Sequence, residues 1–448
     1  MFNGIKKRIS KVQFIALGFL IIILFGTTLL LLPFSTREGL ETSFMDALFT
    51  SVSATCVTGL VTVDTYSHWT LFGQIVILIM IQLGGLGFMS IGIIFAVLLK
   101  RKVSLSDRGL MQESVNTLQI GGIVGLTKKI IFGTMFFEGL GAIVLAIRFC
   151  GELGVGRAVF YGIFHSVSAF CNGGFDLFGF KSEYNSLVGF EGDVVVNITL
   201  CLLILIGGIG FIVWDDISKN KLHIRKYSLH TKIVLSMTCL ITIVGTFLFW
   251  LFEKDNVMAG YDGRTAFFAS LFSSITPRTA GFNTIDTAAL SNSSKLLTMI
   301  LMFIGGNPGS TAGGAKTTTI FILIAYVVSN IKNSYGIDVF DRRIKEEAVK
   351  KASLVVTVNV SLFLLAAIII MGVQPELDYS DVFFEVLSGI NTVGMTTGIT
   401  RDLNVVSKIC VMFLMYFGRI GSLSFALSFS QRKRKAPLLQ PEEEINIG

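Results

Sequence analysis

Residues Asn391-Thr392-Val393-Gly394-Met395-Thr396-Thr397 form a polar, glycine-centred stretch between two apolar segments. A loop of this kind can offer backbone carbonyls in place of an ion's hydration shell. A glycine turn between two helices looks much the same. The choice between these readings rests on whether other parts of the chain repeat the stretch.

They do, three times. The related loops are Val57-Thr58-Gly59-Leu60, Asn172-Gly173-Gly174-Phe175 and Thr279-Ala280-Gly281-Phe282, beside Thr392-Val393-Gly394-Met395. In each, one glycine is followed by one large apolar residue. Phe49, Phe164 and Phe384 stand ten residues before their glycines, and Phe272 stands nine before. Ser53, Ser168 and Ser388 stand six before, and Thr276 stands five before. Both offsets shorten together in the third copy, as a single deletion requires.

A second motif recurs downstream of each loop. Gly84-Gly85-Leu86-Gly87, Gly207-Gly208-Ile209-Gly210, Gly305-Gly306-Asn307-Pro308-Gly309 and Gly418-Arg419-Ile420-Gly421 follow the loop glycines by 25, 33, 24 and 24 residues. Two features in register over four copies define an internal repeat, a construction common among transport proteins.

Composition says what solvent these repeats occupy. Of 448 residues, 52% are hydrophobic and 15% charged, with mean hydropathy +0.72. The apolar residues come in long, nearly uncharged blocks, so the bilayer surrounds most of the chain. Eight segments are long enough to cross, at 12–32, 71–99, 130–147, 194–213, 233–252, 296–329, 354–373 and 405–429. Shorter apolar pieces at 44–55, 160–170, 266–275 and 382–390 are too short to cross and suit re-entrant helices. The order long, short, long occurs four times. Lys6, Lys7, Arg8 and Lys11 precede the first block, which reads as a membrane helix and not as a cleaved leader.

The expected fold is therefore an all-α membrane protein. Four tandem membrane helix–pore helix–membrane helix units, at 1–101, 102–222, 223–345 and 346–448, surround a pseudo-fourfold central pore. Of the 37 Lys and Arg residues, 25 lie in the termini and the connections between units, and 10 on the opposite side. The positive-inside rule then puts both termini in the cytoplasm. The net charge of +7 is a topology signal and not a nucleic-acid footprint. Acidic residues favour the outer side, which would gather cations at the mouth.

Non-helical backbone at membrane depth is tolerated only where protein buries it or it lines a cavity. Four such loops on one axis would aim carbonyls at a common centre, with glycine supplying the positive φ that the turn needs. Rings of carbonyls without charged side chains suit a monovalent cation that sheds water easily, and potassium fits best. The candidate filter residues are Val57, Thr58, Gly59, Asn172, Gly173, Gly174, Thr279, Ala280, Gly281, Thr392, Val393 and Gly394.

As a set, these motifs, with Phe303-Ile304-Gly305 through Lys316-Thr317-Thr318 and Phe417-Gly418-Arg419-Ile420-Gly421, resemble the membrane subunits of the Ktr/Trk/HKT superfamily of potassium transporters. The bacterial KtrB type is the most similar branch, and the resemblance runs from about Val12 to Phe429. It implies potassium uptake across the cytoplasmic membrane through a single filter, a homodimer, and a cytoplasmic KtrA-like ring of nucleotide-binding RCK/KTN-type subunits. A sodium requirement often accompanies the family, so Na+ is expected as an activator. In the plant branch a serine replacing the first filter glycine accompanies sodium preference; Gly59 is intact here.

The sixth long segment, 296–329, would measure about 51 Å as one helix, against a hydrocarbon core of about 30 Å. Its middle holds Gly305, Gly306, Asn307, Pro308, Gly309, Ser310, Thr311, Ala312, Gly313 and Gly314, so a continuous helix is not expected. The residues alone leave a re-satisfied kink or an unwound loop. The resemblance implies the loop, acting as a gate beneath the filter, with Arg419 obstructing the same cavity. Lys316 either borders that cavity or snorkels to the cytoplasm. Arg278 is expected to point back and brace its loop, and Glu138 to make an interhelical hydrogen bond. Asp46 and Glu385 either tune the outer field or sit solvated at the mouth.

Other chemistries find no support. Cys56, Cys150, Cys171, Cys201, Cys239 and Cys410 show no CxxC spacing and read as small hydrophobes. No GK[ST] follows the glycine-rich runs, which read as close helix contacts. Neither an organic cofactor nor a catalytic constellation is indicated, and besides protein partners the surrounding contact is membrane lipid. A carrier using alternating access would need inverted repeats and mid-membrane carboxylates; these repeats share one orientation, and Glu138 stands alone.

Overall fold

The computed structural model describes residues 10–87, 105–114 and 121–421. The first unit holds α1 (Lys11–Leu30), α2 (Phe44–Cys56), the single turn α3 (Thr65–His68) and α4 (Leu71–Leu86). The second holds α5 (Leu105–Ser114), α6 (Ile123–Leu153), α7 (Val155–Phe170), α8 (Val194–Gly208) and α9 (Phe211–Asn220). The third holds α10 (Leu229–Glu253), α11 (Gly263–Ile275), α12 (Asn292–Ile304) and α13 (Thr317–Ile331). A hairpin of β1 (Ile337–Val339) and β2 (Arg342–Ile344) leads to the fourth unit, α14 (Glu346–Val373), α15 (Tyr379–Ile390) and α16 (Val405–Ile420).

Four described helices, α1, α6, α10 and α14, are long and apolar enough to cross a membrane alone. Each is the first membrane-length helix of its unit. Only 28 to 33% of their most apolar windows is buried, and Phe25, Phe132, Ile147 and Ile368 are exposed. In water that apolar surface would be a liability; in lipid it is the expected outer face. The chain is a multi-pass membrane protein.

The second helices depart from expectation. Continuous spans over 71–99, 194–213 and 405–429, with a break only in the third unit, are not what the chain forms. Every second helix ends at its glycine motif: α4 at Leu86, α8 at Gly208, α12 at Ile304 and α16 at Ile420. Gly87, Gly210, Gly305 and Gly421 take φ of 77°, 101°, 67° and 94°, outside the helical region. In the second unit the chain turns by 94° into α9. The continuations expected at 88–99 and 422–429 lie outside the described residues.

The re-entrant pieces do form helices, at 13, 16, 13 and 12 residues, slightly longer than their apolar cores. All four end at a filter loop. Each packs on the first helix of its own unit, and the second helix of each unit packs on the pore helix of the next. Thus α4 meets α7, α8 meets α11, α12 meets α15, and α16 closes the circle on α2.

One element adds to the all-α expectation. β1 and β2 pair antiparallel, Val339 opposite Arg342, across Phe340 and Asp341 at φ of 50° and 60°. Two left-handed residues at the centre of a two-residue turn match the strand twist.

Candidate ion filter and gate

The twelve candidate filter residues come together at one point where the four pore helices end. The loop backbone repeats in detail. Gly59, Gly174, Gly281 and Gly394 have φ of 97°, 70°, 82° and 92°. Two residues earlier, Val57, Asn172, Thr279 and Thr392 also take positive φ, at 57°, 61°, 73° and 50°. The residue between has negative φ, so successive peptide planes turn to one side. Positive φ in the β-branched Val57, Thr279 and Thr392 costs free energy and persists only where the surroundings enforce it.

The glycines form a closed ring. A Cβ on Gly59 would fall 2.8 Å from Gly173 O, and one on Gly174 3.0 Å from Ala280 O. On Gly281 it would fall 2.7 Å from Val393 O, and on Gly394 2.0 Å from Thr58 O. Each glycine therefore abuts the carbonyl before the next unit's glycine, in cyclic order. No other residue fits.

Hydrogen bonds to the Ser/Thr position hold each loop. Thr58 N, Gly173 N, Ala280 N and Val393 N donate to the carbonyls of Ser53, Ser168, Thr276 and Ser388 at 2.8, 2.6, 2.9 and 2.8 Å. Ser53 Oγ and Ser388 Oγ accept from Gly59 N and Gly394 N, each at 3.0 Å. Ser168 and Thr276 bond the residue after the glycine instead. The conserved spacing within the chain is thus a loop clamp. Leu60, Phe175, Phe282 and Met395 are buried behind the loops, as are Phe49, Phe164, Phe272 and Phe384.

Above the ring lies a vestibule of about 240 Å³ whose floor is the four glycines. Its walls carry Asp64, Asp176, Asp286 and Arg401, a net negative mouth that would concentrate cations. Burial pushes the Asp176 carboxyl up to about 7, opposed by the Phe178 N–H and reinforced by Asp64. Asp46 is not at this mouth; it pairs with Lys408 at 3.3 Å. Glu385 is not solvated either, being wholly buried behind the fourth loop.

Beneath the ring, the glycine motifs allow backbone contact. A Cβ on Gly84, Gly207 or Gly418 would lie 2.0, 1.9 or 2.1 Å from Thr55 O, Phe170 O or Ile390 O. Each carbonyl stands four residues before its filter glycine. The second helix therefore backs directly onto the end of the pore helix.

In the third unit, 305–316 is an unwound loop across this space. Its backbone polar groups are met by neighbours, as buried backbone requires. Phe211 N donates to Gly309 O at 2.7 Å, Asn307 Nδ2 to Gly208 O at 2.9 Å, and Thr317 N to Gly306 O at 2.9 Å. The loop also touches the filter: Thr311 Oγ1 donates to Asn172 Oδ1 at 3.2 Å, and Ala315 N to Asn391 Oδ1 at 3.2 Å.

Arg419 reaches under the filter from the fourth unit. Its guanidinium donates to Thr311 O, to Gly84 O and, at 3.0 Å, to Gly85 O. It thereby joins the third-unit loop to the last carbonyls of α4. No acid pairs with it among the described residues. Lys316 does not snorkel; Nζ donates to Ala312 O and Gly313 O, both at 2.8 Å. Arg278 turns outward to Thr238 Oγ1 at 3.2 Å, and Glu138 accepts from Gln82 Nε2 of α4 at 3.1 Å.

Sequence reasoning missed Asn391 as a loop anchor and Thr238 as a shared acceptor for Arg278 and Asn307. A polar residue at the end of an apolar helix was the available signal for Asn391. Thr238, one of four threonines in the lipid-spanning α10, gave none.

Comparison with known proteins adds to this geometry. The model of a family described as TrkH, cation transport protein, matches residues 10–436. The chain is 40% identical over its whole length to the potassium/sodium uptake protein NtpJ of Enterococcus hirae, spanning 99% of that protein. It is 35% identical to the Ktr system potassium uptake protein B of Bacillus subtilis, over 98% of this chain and 97% of the relative. The crystal structure of the potassium transporter TrkH from Vibrio parahaemolyticus matches with a TM-score of 0.70 at 21% identity, over 93% of this chain and 85% of that one. At that identity the likeness is one of fold.

Proposed function

This chain belongs to the TrkH family of cation transport proteins, and on that premise we propose that it carries potassium into the cell across the cytoplasmic membrane. The observation that carries the reading is the ring in which Gly59, Gly174, Gly281 and Gly394 each abut the next unit's carbonyl. An ion on the axis exchanges its water for these carbonyls and remains solvated throughout. The pore helices end at the ring with their carbonyl ends inward, adding a partial negative charge. The uptake function follows the names of the relatives, NtpJ and the Ktr B protein.

Residues Gly305 to Gly314, Lys316 and Arg419 form the gate. Closed, the loop lies across the space under the filter, latched by Arg419 through Thr311 O. Opening removes those bonds and clears the path. Control of that step falls to a cytoplasmic ring of RCK/KTN-type nucleotide-binding subunits, in keeping with the system named for the Bacillus relative. The working unit is a homodimer with cytoplasmic termini. Sodium acts as an activator, in line with the potassium/sodium wording of the Enterococcus relative.

The test is complementation of a potassium-uptake-deficient bacterium at low external potassium, with the cognate cytoplasmic subunit co-expressed. Growth rescue, and radiolabelled rubidium uptake by liposomes holding the purified chain, are the expected results. Absence of both with well-inserted protein would sink the potassium assignment. Uptake measured with sodium inside, outside or absent decides the activator.

A further inference from the structure

The position nine residues before the filter glycine lies one layer behind the filter and differs in each unit. It is Thr50, His165 and Glu385 in the first, second and fourth units; with the one-residue deletion it is Ser273 in the third. All four are buried, at 1, 0, 0 and 6% exposure. Thr50 Oγ1 has no partner, and Ser273 bonds back to Ala269 O in its own helix. The other two reach forward. His165 Nε2 accepts from Leu177 N at 3.2 Å, with Nδ1 toward Tyr161 O at 2.8 Å. Glu385 accepts from Thr396 Oγ1 at 2.7 Å and from Thr400 Oγ1 at 2.6 Å.

Glu385 is the unusual member. A carboxyl group taken fully out of water demands strong compensation, yet no cation pairs with it among the described residues. Its two partners are hydroxyls, and both threonines line the vestibule directly above Gly394. Thr396 Oγ1 also accepts from Gly398 N at 3.0 Å and lies 3.0 Å from Thr400 Oγ1. Glu385 itself does not line the vestibule. The carboxyl thus fixes the chain that leaves the filter from both ends of a short loop, in one unit of four.

We propose that Glu385 is a positioning residue of the filter: through Thr396 and Thr400 it holds Gly394 and Met395 in place and so sets discrimination between potassium and sodium. This rests on the filter reading above. A ring of carbonyls discriminates by the spacing and number of its oxygens, and that spacing depends on how firmly each loop is held. With the fourth loop released, its carbonyls close on the smaller ion. The carboxyl contributes rigidity here and never touches the ion.

The experiment is competitive uptake of labelled rubidium and sodium by liposomes containing the full-length chain, for the parent, Glu385→Gln, Glu385→Val, Thr400→Val, and Glu385→Val with Thr400→Val. Glu385→Val and Thr400→Val should each lower the rubidium-to-sodium ratio about tenfold, about 1.4 kcal/mol of discrimination. The effect should fall on the relative apparent KM for the two ions, with maximal flux kept. Glu385→Gln, which retains an acceptor for Thr400, should recover most of the ratio. The double variant should lose no more than either single one, because both remove one linkage. Should Glu385→Val fail to insert, Thr400→Val and Glu385→Gln decide the matter alone. An unchanged ratio in a discriminating parent overturns the proposal, as do additive losses. A parent that does not discriminate overturns the filter reading instead.

Discussion

Arg419 donates to the carbonyl of Thr311, so a side chain of the fourth unit ties down the unwound loop of the third. The same guanidinium reaches Gly85 O of the first unit at 3.0 Å, and Thr311 Oγ1 reaches Asn172 of the second at 3.2 Å. All four units therefore meet under the filter. Replacing Arg419 with Ala should raise rubidium flux severalfold in the absence of any cytoplasmic partner, because the latch to Thr311 is gone. Flux equal to the parent's would count against Arg419 as part of the gate.

Deleting Gly309 to Gly313 removes the partner of Phe211 N and shortens the loop below the span it covers. Partner-independent uptake should rise at least as much as in Arg419→Ala. Combining the two changes should add little, since both remove one obstruction. Liposome flux with and without the cytoplasmic subunit measures this.

Gly59→Ser places a side chain where φ is 97° and where a Cβ would sit 2.8 Å from Gly173 O. The first loop must shift, and its carbonyl leaves the ring. Potassium preference over sodium should fall by about tenfold or more, roughly 1.4 kcal/mol. Ion competition in uptake reads the change; a preserved preference would mean that this ring does not select.

Gly207→Ala tests packing apart from transport. The added methyl would lie 1.9 Å from Phe170 O, and neither backbone can yield without moving a pore helix. A loss of about 1–3 kcal/mol is expected for such overpacking, visible as a lower unfolding temperature in detergent. Gly139 in α6 has open space around it, and its alanine variant should leave that temperature unchanged.

Asp176 gives the mouth a pH response. Its carboxyl, pushed up to about 7 mainly by burial, is neutral below that pH and ionised above it. Ionisation adds to Asp64 and Asp286 and opposes Arg401 on the vestibule wall. Uptake at low external potassium should therefore rise as external pH goes from about 6 to about 8, and Asp176→Asn should flatten the rise. Folding runs the other way. A carboxyl whose folded value lies above its unfolded one favours the folded state less as pH climbs from about 4 to about 7, so Asp176→Asn should be relatively more stable at pH 8.

The repeat was legible because its signals are local. A glycine, a large apolar neighbour and a Ser/Thr five or six residues before the glycine survive in each copy, and each now has a cause: ring contact, burial and clamp. The broken second helices were half legible. The glycines were visible at Gly84, Gly207 and Gly418, yet a glycine within an apolar block marks close packing and helix termination equally well. Glu385 was misplaced as readily as it was found, since a carboxylate in a short apolar helix does not reveal which way it faces.

The sequence by itself determined the membrane setting, the four units and the four glycines, because hydropathy and spacing are written residue by residue. Only the tertiary structure decided that the glycines close one ring. It also decided that Val57, Asn172, Thr279 and Thr392 share the left-handed backbone beside them, and that Arg419 reaches Thr311 and Gly85. Those facts depend on carbonyls brought together from residues more than a hundred positions apart. A carbonyl carries no side-chain letter, so its partner is fixed by where the chain passes.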